Sequence, residues 1–365
     1  MRISLGVILT LLSLSLSSQA KEQNPWTHFG LRPLGMGNAF VSVVDDYNTL
    51  FYNPAGLARL DSWDGEFFNP SFIVSKEAQG LLSDSQDLGG INDTLDLIEK
   101  NTGENQLFSL GWTPHLIFKN FGFGAGVDLT LSMIFHRDIS VDVKSGVELI
   151  FPVGFAFNLL DDRLSLGFTV KGRAIGYVDR EFSMEDIESL SNDSNEGESG
   201  DQQTLEDFVL GGIGYGADFG LLFTPTKVLE PTIGLSVTDL GGTSFKEANI
   251  GGEPLGTPPV VLPSVNLGLS LKPFKWKNSY VLTAVDMHSI NQPFSFSQKL
   301  QFGAEYGYGQ FFKVQGGLYK GYPTAGVQLD VGIINLKFVT FAEEVGSVAG
   351  YKPSRRYAIQ FKLLL

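Results

Sequence analysis

The feature that most limits how this chain can fold is an alternation of period two that recurs along most of its length. From Phe121 one face reads Phe121, Phe123, Ala125, Val127, Leu129, Leu131, Met133 and Phe135, and the other reads Gly122, Gly124, Gly126, Asp128, Thr130 and Ser132. Successive side chains of a strand point to opposite faces, so this is a long strand with one apolar face and one small or polar face. Val147, Leu149, Phe151, Val153, Phe155 and Phe157 repeat it, as do 164–171, 209–221 and 265–272, and the chain closes on Tyr357, Ile359, Phe361, Leu363 and Leu365. About fourteen such segments can be read, near 64–75, 106–118, 121–142, 146–158, 163–180, 209–223, 231–238, 262–272, 279–287, 297–306, 310–319, 323–331, 333–341 and 355–365. Many approach the roughly 9–11 residues with which a tilted strand crosses a bilayer. An even count is the habit of bacterial membrane barrels.

The gaps between segments form a second pattern. Long ones, 76–105, 181–208, 239–261 and 342–354, follow odd-numbered segments, whereas Lys119-Asn120, Leu159 to Asp162 and Pro273 to Asn278 follow even-numbered ones. In an up-and-down barrel all odd connections lie on one side, and outer-membrane barrels pair short periplasmic turns with long external loops. A soluble two-sheet sandwich also alternates, but it has no reason to sort its loops by parity. Composition agrees with a barrel that meets lipid: 43% hydrophobic, 12% aromatic, only 18% charged, and 43 glycines. With 26 basic against 40 acidic residues, nucleic acid is excluded as a partner, because phosphate contacts need Lys and Arg. The expected fold class is therefore all-β, a transmembrane antiparallel β-barrel of about fourteen strands.

Ahead of the barrel come two other segments. Met1-Arg2, an apolar run from Leu5 to Leu16, and Ser18-Gln19-Ala20 read as a cleavable signal peptide over 1–20. Residues 21–63 do not alternate and are expected to form a compact plug inside the barrel of 64–365. Short helical turns are expected over Ala39–Val44 and Asn48–Tyr52, with Asn53-Pro54 ending the second. The chain has no cysteine, which excludes disulfides and thiolate metal sites.

Within 21–63 stand Gly35-Met36-Gly37-Asn38-Ala39-Phe40, then Asp45-Asp46, then Tyr52-Asn53-Pro54-Ala55-Gly56-Leu57. These elements resemble the N-terminal hatch of the FadL-like outer-membrane transporters, and more closely that of their PorV/PorQ-type relatives. The motif match covers about thirty residues. The resemblance implies a fourteen-stranded outer-membrane barrel with the Asn-Pro-Ala element in its lumen. It also implies a passive channel for small hydrophobic compounds or, in the PorV branch, a docking barrel for a protein secretion or surface-assembly system. Partners would be outer-membrane lipid and either a small hydrophobic solute or an exported protein. Two departures stand out: the chain ends Leu363-Leu364-Leu365 where such barrels usually end on an aromatic residue, and no carboxylate clamp for a fatty acid is visible.

Candidate hatch or gating residues are Arg32, Gly35, Gly37, Asn38, Asp45, Asp46, Asn53, Pro54 and Ala55. A charge inside a lumen needs a partner or water, so Arg32, Asp45 and Asp46 are expected to pair with inward charges such as Asp128, Lys171, Arg173 or Asp218. Asn53-Pro54-Ala55 reads equally as a gate or as a turn that packs the plug in place. Pro114 and Pro152 lie in the strands flanking the third one. Each deletes a ladder donor, which favours either a sideways window into lipid or a tolerated proline near a strand end.

No catalytic constellation appears, and the expected cofactors and metals are none. The four histidines, His28, His115, His136 and His288, show no metal-ligand spacing. Gly35-x-Gly37 lacks the third glycine of a dinucleotide loop. The acidic stretch 181–207 reads as a solvated external loop, and 76–100 as a small amphipathic cap or a segment packed on the rim.

Overall fold

The computed structural model describes residues 30–78, 80, 99–138, 140–183, 185–186, 209–250, 253–332, 334–345 and 351–363. The expected signal peptide, most of the acidic stretch, most of the expected cap and the last two leucines lie outside the described residues.

Fourteen antiparallel staves close into a barrel. The strands are β1 (Asp64–Glu66), β2 (Ser71–Ser75), β3 (Asn105–Trp112), β4 (His115–Phe118), β5 (Phe121–Gly124), β6 (Gly126–Phe135), β7 (Val141–Leu159), β8 (Leu164–Phe182), β9 (Leu210–Phe223) and β10 (Thr232–Thr238). After the short loop strands β11 (Phe245–Glu247), β12 (Asn249–Ile250) and β13 (Glu253–Pro254) come β14 (Ser264–Lys275), β15 (Ser279–Met287), β16 (Leu300–Tyr308) and β17 (Phe312–Tyr319). The last three are β18 (Tyr322–Asp330), β19 (Ile334–Glu344) and β20 (Pro353–Leu363). The first three staves are interrupted, and each consists of two strands: β1 with β2, β3 with β4, β5 with β6. Closure comes from β20 pairing back onto β2, from Ser71 opposite Gln360 to Ser75 opposite Arg356. A sheet joined in this way leaves no edge with unpaired backbone along those residues. Among the described residues, no helix is long and apolar enough to cross a membrane.

The alternation read from the sequence sets the two faces. Val153, Phe155, Phe168, Val170 and Tyr215 are exposed on the outside, while Ser165, Thr169, Ser236, Asn266 and Gln301 are buried inside. One boundary differs from expectation. The third stave does not run to 142; the chain turns at 136–140, and Val141 begins β7, whose nineteen residues all pair with β8. The turn is held by the His136 N–H donating to the Ser140 carbonyl and by the Asp138 carboxylate accepting from the Ser140 hydroxyl at 2.9 Å. Phe135 faces Val141 across it. Paired residues share a face, so the alternation passes through the turn in phase and hides it.

All even-numbered connections are short: 119–120, 160–163, 224–231, 276–278, 309–311 and 331–333. None of these exceeds eight residues, whereas the opposite end carries 76–104, 183–209, 239–263 and 288–299, each of twelve or more, together with the shorter 136–140, 320–321 and 345–352. An arginine at Val153, near the middle of the outer apolar band, should lower stability in lipid vesicles by about 2–4 kcal/mol, the usual cost of a lipid-facing cation at mid-depth. Guanidinium unfolding of the Val153→Arg variant measures this, and an unchanged midpoint would contradict a lipid-covered face.

Candidate functional site

Residues 30–60 pack against inward-facing residues of the wall, and nearly all are buried. The first element, helix Leu31–Gly35, was not anticipated from the sequence, because Pro33 and Gly35 speak against a helix. Pro33 sits within the first turn, where its missing N–H costs nothing. The helix ends when the Gly37 N–H donates to the Leu34 carbonyl and the Asn38 N–H to the Pro33 carbonyl. Gly37 and Asn38 take positive φ, 61° and 64°, which glycine adopts freely and asparagine more readily than most residues. Asn38 is further held by the Tyr52 hydroxyl, which donates to its Oδ1. The expected turn over 39–44 is a single hydrogen-bonded turn, and the second expected helix spans Thr49–Tyr52.

The wall receives this segment on a belt of glycines. Gly122 faces Gly154, Gly167 faces Gly220, Gly234 faces Gly268 and Gly303 faces Gly317 as register partners on neighbouring strands. Inner-segment atoms lie within 3.1 Å of where a Cβ would stand at each, and at Gly122, Gly268 and Gly317 a wall atom of Ile117, Asp286 or Phe302 lies nearer still. Leu57 lies on Gly122 and Gly154, Pro54-Ala55 on Gly167, Asn53 on Gly220, Val41 on Gly234, Ser42 on Gly268, and Met36-Gly37 on Gly303 and Gly317. Asn53 ties the contact chemically. Its Oδ1 accepts from the Ala55 N–H at 3.2 Å, and its Nδ2 donates to the Val41 carbonyl at 2.9 Å and reaches the wall carbonyl of Leu221 at 3.3 Å. Asp286 accepts from the Val41 N–H at 2.7 Å, and Thr324 bridges the Gly37 N–H and the Gly35 carbonyl, each at 3.0 Å. Phe40, Leu50, Tyr52 and Leu57 then join wall residues Ile117, Ile150 and Leu222 in one apolar cluster.

Arg32 anchors the segment electrostatically, though not to the expected partners. Its guanidinium spans Glu305, with Nε at 2.8 Å from Oε2 and Nη2 at 2.7 Å from Oε1, while Nη1 reaches Asp45 and, at 2.9 Å, Asp46. Burial works against this charge, but Asp45, Glu305 and Asp46 outweigh it and hold the Arg32 pKa above the ordinary arginine value. The residues expected to meet the hatch charges instead satisfy one another or local groups. Lys171 lies 2.7 Å from Asp218 and 3.1 Å from Asp239, Arg173 pairs with Glu148, and Asp128 accepts from Ser109 and Thr130. Sequence parity put all of them inside, but only the stagger of the staves separates those near the long loops from those level with Arg32. At Asp239 burial raises the carboxyl pKa, yet Lys171 and Arg173 overcome this and hold it below the usual carboxylate range.

The proline pair opens no register break beside the third stave. Pro114 falls opposite Ala125 on one side and Pro152 opposite Gly124 on the other, but the pairings above and below stay in step: Trp112 with Val127 and His115 with Gly124, then Phe123 with Val153 and Gly126 with Ile150. The Ala125 N–H still donates to the Pro114 carbonyl at 2.8 Å, and Pro152 itself faces Lys171 in an unbroken ladder. A proline removes one donor without obliging the register to slip. The irregularity lies one seam earlier. Between the pairings Glu66–His115 and Ser71–Gly111, the four residues 67–70 face the three residues 112–114, a bulge bridged by the Asn69 side chain to both backbone groups of Thr113.

Fold and inner segment together define a closed fourteen-stranded barrel with a buried N-terminal segment crossing its lumen. No family model and no curated protein sequence matches the chain. Among solved structures, the fold is shared with the P. putida toluene transporter TodX, at a TM-score of 0.54 and 12% identity over 92% of this chain and 99% of that one. CymD, a monoaromatic hydrocarbon channel, matches with TM-score 0.54 and 12% identity over 94% and 99%. The Ralstonia pickettii toluene transporter TbuX matches with 0.51 and 14% over 93% and 99%.

Gly220→Ala and Gly167→Ala should each cost about 1–3 kcal/mol by overpacking against Asn53–Ala55, whereas Gly176→Ala, with open space at its Cβ, should be neutral. Equal denaturant midpoints for all three would contradict the belt. Arg32→Ala leaves Glu305 buried without its cation and should cost about 3–5 kcal/mol, with most of that loss recovered in Arg32→Ala/Glu305→Gln. Hydrogen exchange across 30–60 reports whether the segment loosens as expected.

Proposed function

We propose that this chain is a passive outer-membrane channel for small hydrophobic molecules, a member of the FadL-like superfamily in which residues 30–60 act as the hatch that limits flux. The observation that carries this reading is the pairing of an apolar barrel exterior with a lumen bridged by a segment seated on glycines. Lipid covers an exterior of Val, Leu and Phe at no cost, and exposed Trp63, Phe67, Trp276 and Phe311 at the short-turn end suit an aromatic girdle. That end would then be periplasmic, the long loops external, and 1–20 the export signal removed on the way. The named hydrocarbon channels of like fold support a similar solute class here.

A hydrophobic molecule moving down its gradient needs no energy source, only a path past the polar surface of the membrane. Asn53-Pro54-Ala55 and Arg32 hold the hatch to the wall, and the Asp45-Asp46 pair braces Arg32 from within the hatch, so permeation requires that some of these contacts yield. Gly35, Gly37 and Asn38 give the backbone its sharp turn at the opposite wall. In this reading the Arg32–Glu305 pair and the Asn53–Gly220 contact set how readily the hatch moves.

Phospholipid alone passes small hydrocarbons, so the test belongs in cells whose outer leaflet is lipopolysaccharide. Expression of the chain in such cells lacking their own hydrocarbon channels should raise uptake of toluene, and Arg32→Ala should raise it further. Uptake at the level of empty cells for both proteins, with correct insertion verified, would sink the channel reading. A stoichiometric protein partner retained in detergent would then favour the docking alternative.

A further inference from the structure

One cluster of ligating side chains stands apart from the hatch network, at the short-turn end of the first seam. Asp64 and Glu66 are two residues apart on β1 and share a face, and Glu66 is the register partner of His115 on β4. One oxygen of each carboxylate and a ring nitrogen of His115 lie within 4.8 Å of one another. His115 is only 5% exposed. Its Nδ1 is 2.9 Å from the Thr113 carbonyl oxygen, which can only accept, so Nδ1 carries a proton and Nε2 is the ring nitrogen that can serve as a ligand once it is deprotonated. Nε2 is buried without a hydrogen-bond partner, and Asp64 Oδ2 approaches it at 3.5 Å. A ring whose Nδ1–H is anchored on a backbone carbonyl while Nε2 faces carboxylates has the orientation that metal-ligating histidines use. Stacking on Tyr47, with centroids 4.3 Å apart and planes 16° apart, fixes the ring further.

We propose that Asp64, Glu66 and His115 form a binding site for a divalent cation of the zinc type, with one imidazole nitrogen and two carboxylate oxygens as ligands. Three protein ligands of this kind leave a fourth position open to water. Tetrahedral bonds of 2.0–2.1 Å put donor atoms about 3.4 Å apart, so the cluster must contract by roughly an ångström. Asp64, whose side chain is 38% exposed, is free to make that movement. Lys362 is the built-in competitor: its ammonium lies 2.6 Å from Glu66 and 3.7 Å from Asp64, and a bound metal displaces it. Asn69 holds the other Glu66 oxygen at 2.9 Å and so orients the carboxylate. Through the Tyr47 stack, the site touches the same stretch of the inner segment that supplies Asp45 and Asp46 to Arg32. Binding itself does not depend on what the barrel transports.

The test is calorimetric titration of tag-free, detergent-purified full-length protein with Zn2+. Wild type should bind one equivalent. His115→Gln should weaken binding at least tenfold, the scale seen when even supporting groups of a metal site are lost. Lys362→Met should tighten binding about tenfold by removing the competing charge. Should His115→Gln fail to fold, as judged by circular dichroism, Asp64→Asn at the more exposed edge replaces it with the same expectation. Zn2+ should also slow amide exchange across 45–52 in wild type. No stoichiometric binding in either wild type or Lys362→Met would overturn the site and leave His115 as a simple structural partner of Asp64. Undiminished binding in the ligand variants would overturn it equally.

Discussion

A hydrogen-bonded sheet that closes on itself is the constraint from which the rest of this structure follows. Once β20 pairs with β2, each stave has one face inside and one outside, and no stave can turn its polar side elsewhere. The apolar face goes outward, so the ordinary arrangement of a soluble protein is inverted: Ser165, Asn266 and Gln301 are buried while Phe155 and Val170 are not. In hydrocarbon this inversion is stable, because every paired backbone group is satisfied within the wall.

Closure also creates an interior that must be filled. Long side chains do this near Arg32 and near Lys171, where Arg32 meets Glu305 and Lys171 meets Asp218 at hydrogen-bonding distance. Between the two charged clusters the wall carries glycine instead, and backbone and side-chain atoms of residues 36–57 lie where wall side chains would be. The belt makes the inner segment part of the packing rather than a guest in an open tube. Its grip is a mixture of apolar contact and a few directed bonds, of which those made by Asn53, Asp286 and Arg32 span the lumen.

Much of this was legible in advance. Strand positions could be read to within a few residues, because period-two alternation is a local consequence of backbone geometry and survives in any one segment. The turn at 136–140 escaped because Phe135 and Val141 share a face, leaving the alternation in phase across it. Helix Leu31–Gly35 escaped because a wall contact through Thr324 and a left-handed cap at Gly37 outweigh its poor local propensity. The inward charges were identified correctly by parity, yet their partners were not. Parity says which face a residue occupies, whereas the height at which it meets another stave depends on the stagger of the closed sheet.

The sequence by itself determined that this chain makes about fourteen alternating strands, with which residues outward and which inward, and that residues 21–63 follow a different rule. It also marked Asn53-Pro54-Ala55 and Arg32 as residues of interest. Only the tertiary structure decided that Glu305 is the partner of Arg32, that eight glycines on neighbouring strands form one belt, and that His115 stands beside Asp64 and Glu66 rather than alone. The physical reason is the same each time. Alternation is encoded between neighbours in the chain, while a pairing across 273 or about fifty positions exists only after the register and closure of the barrel have been set.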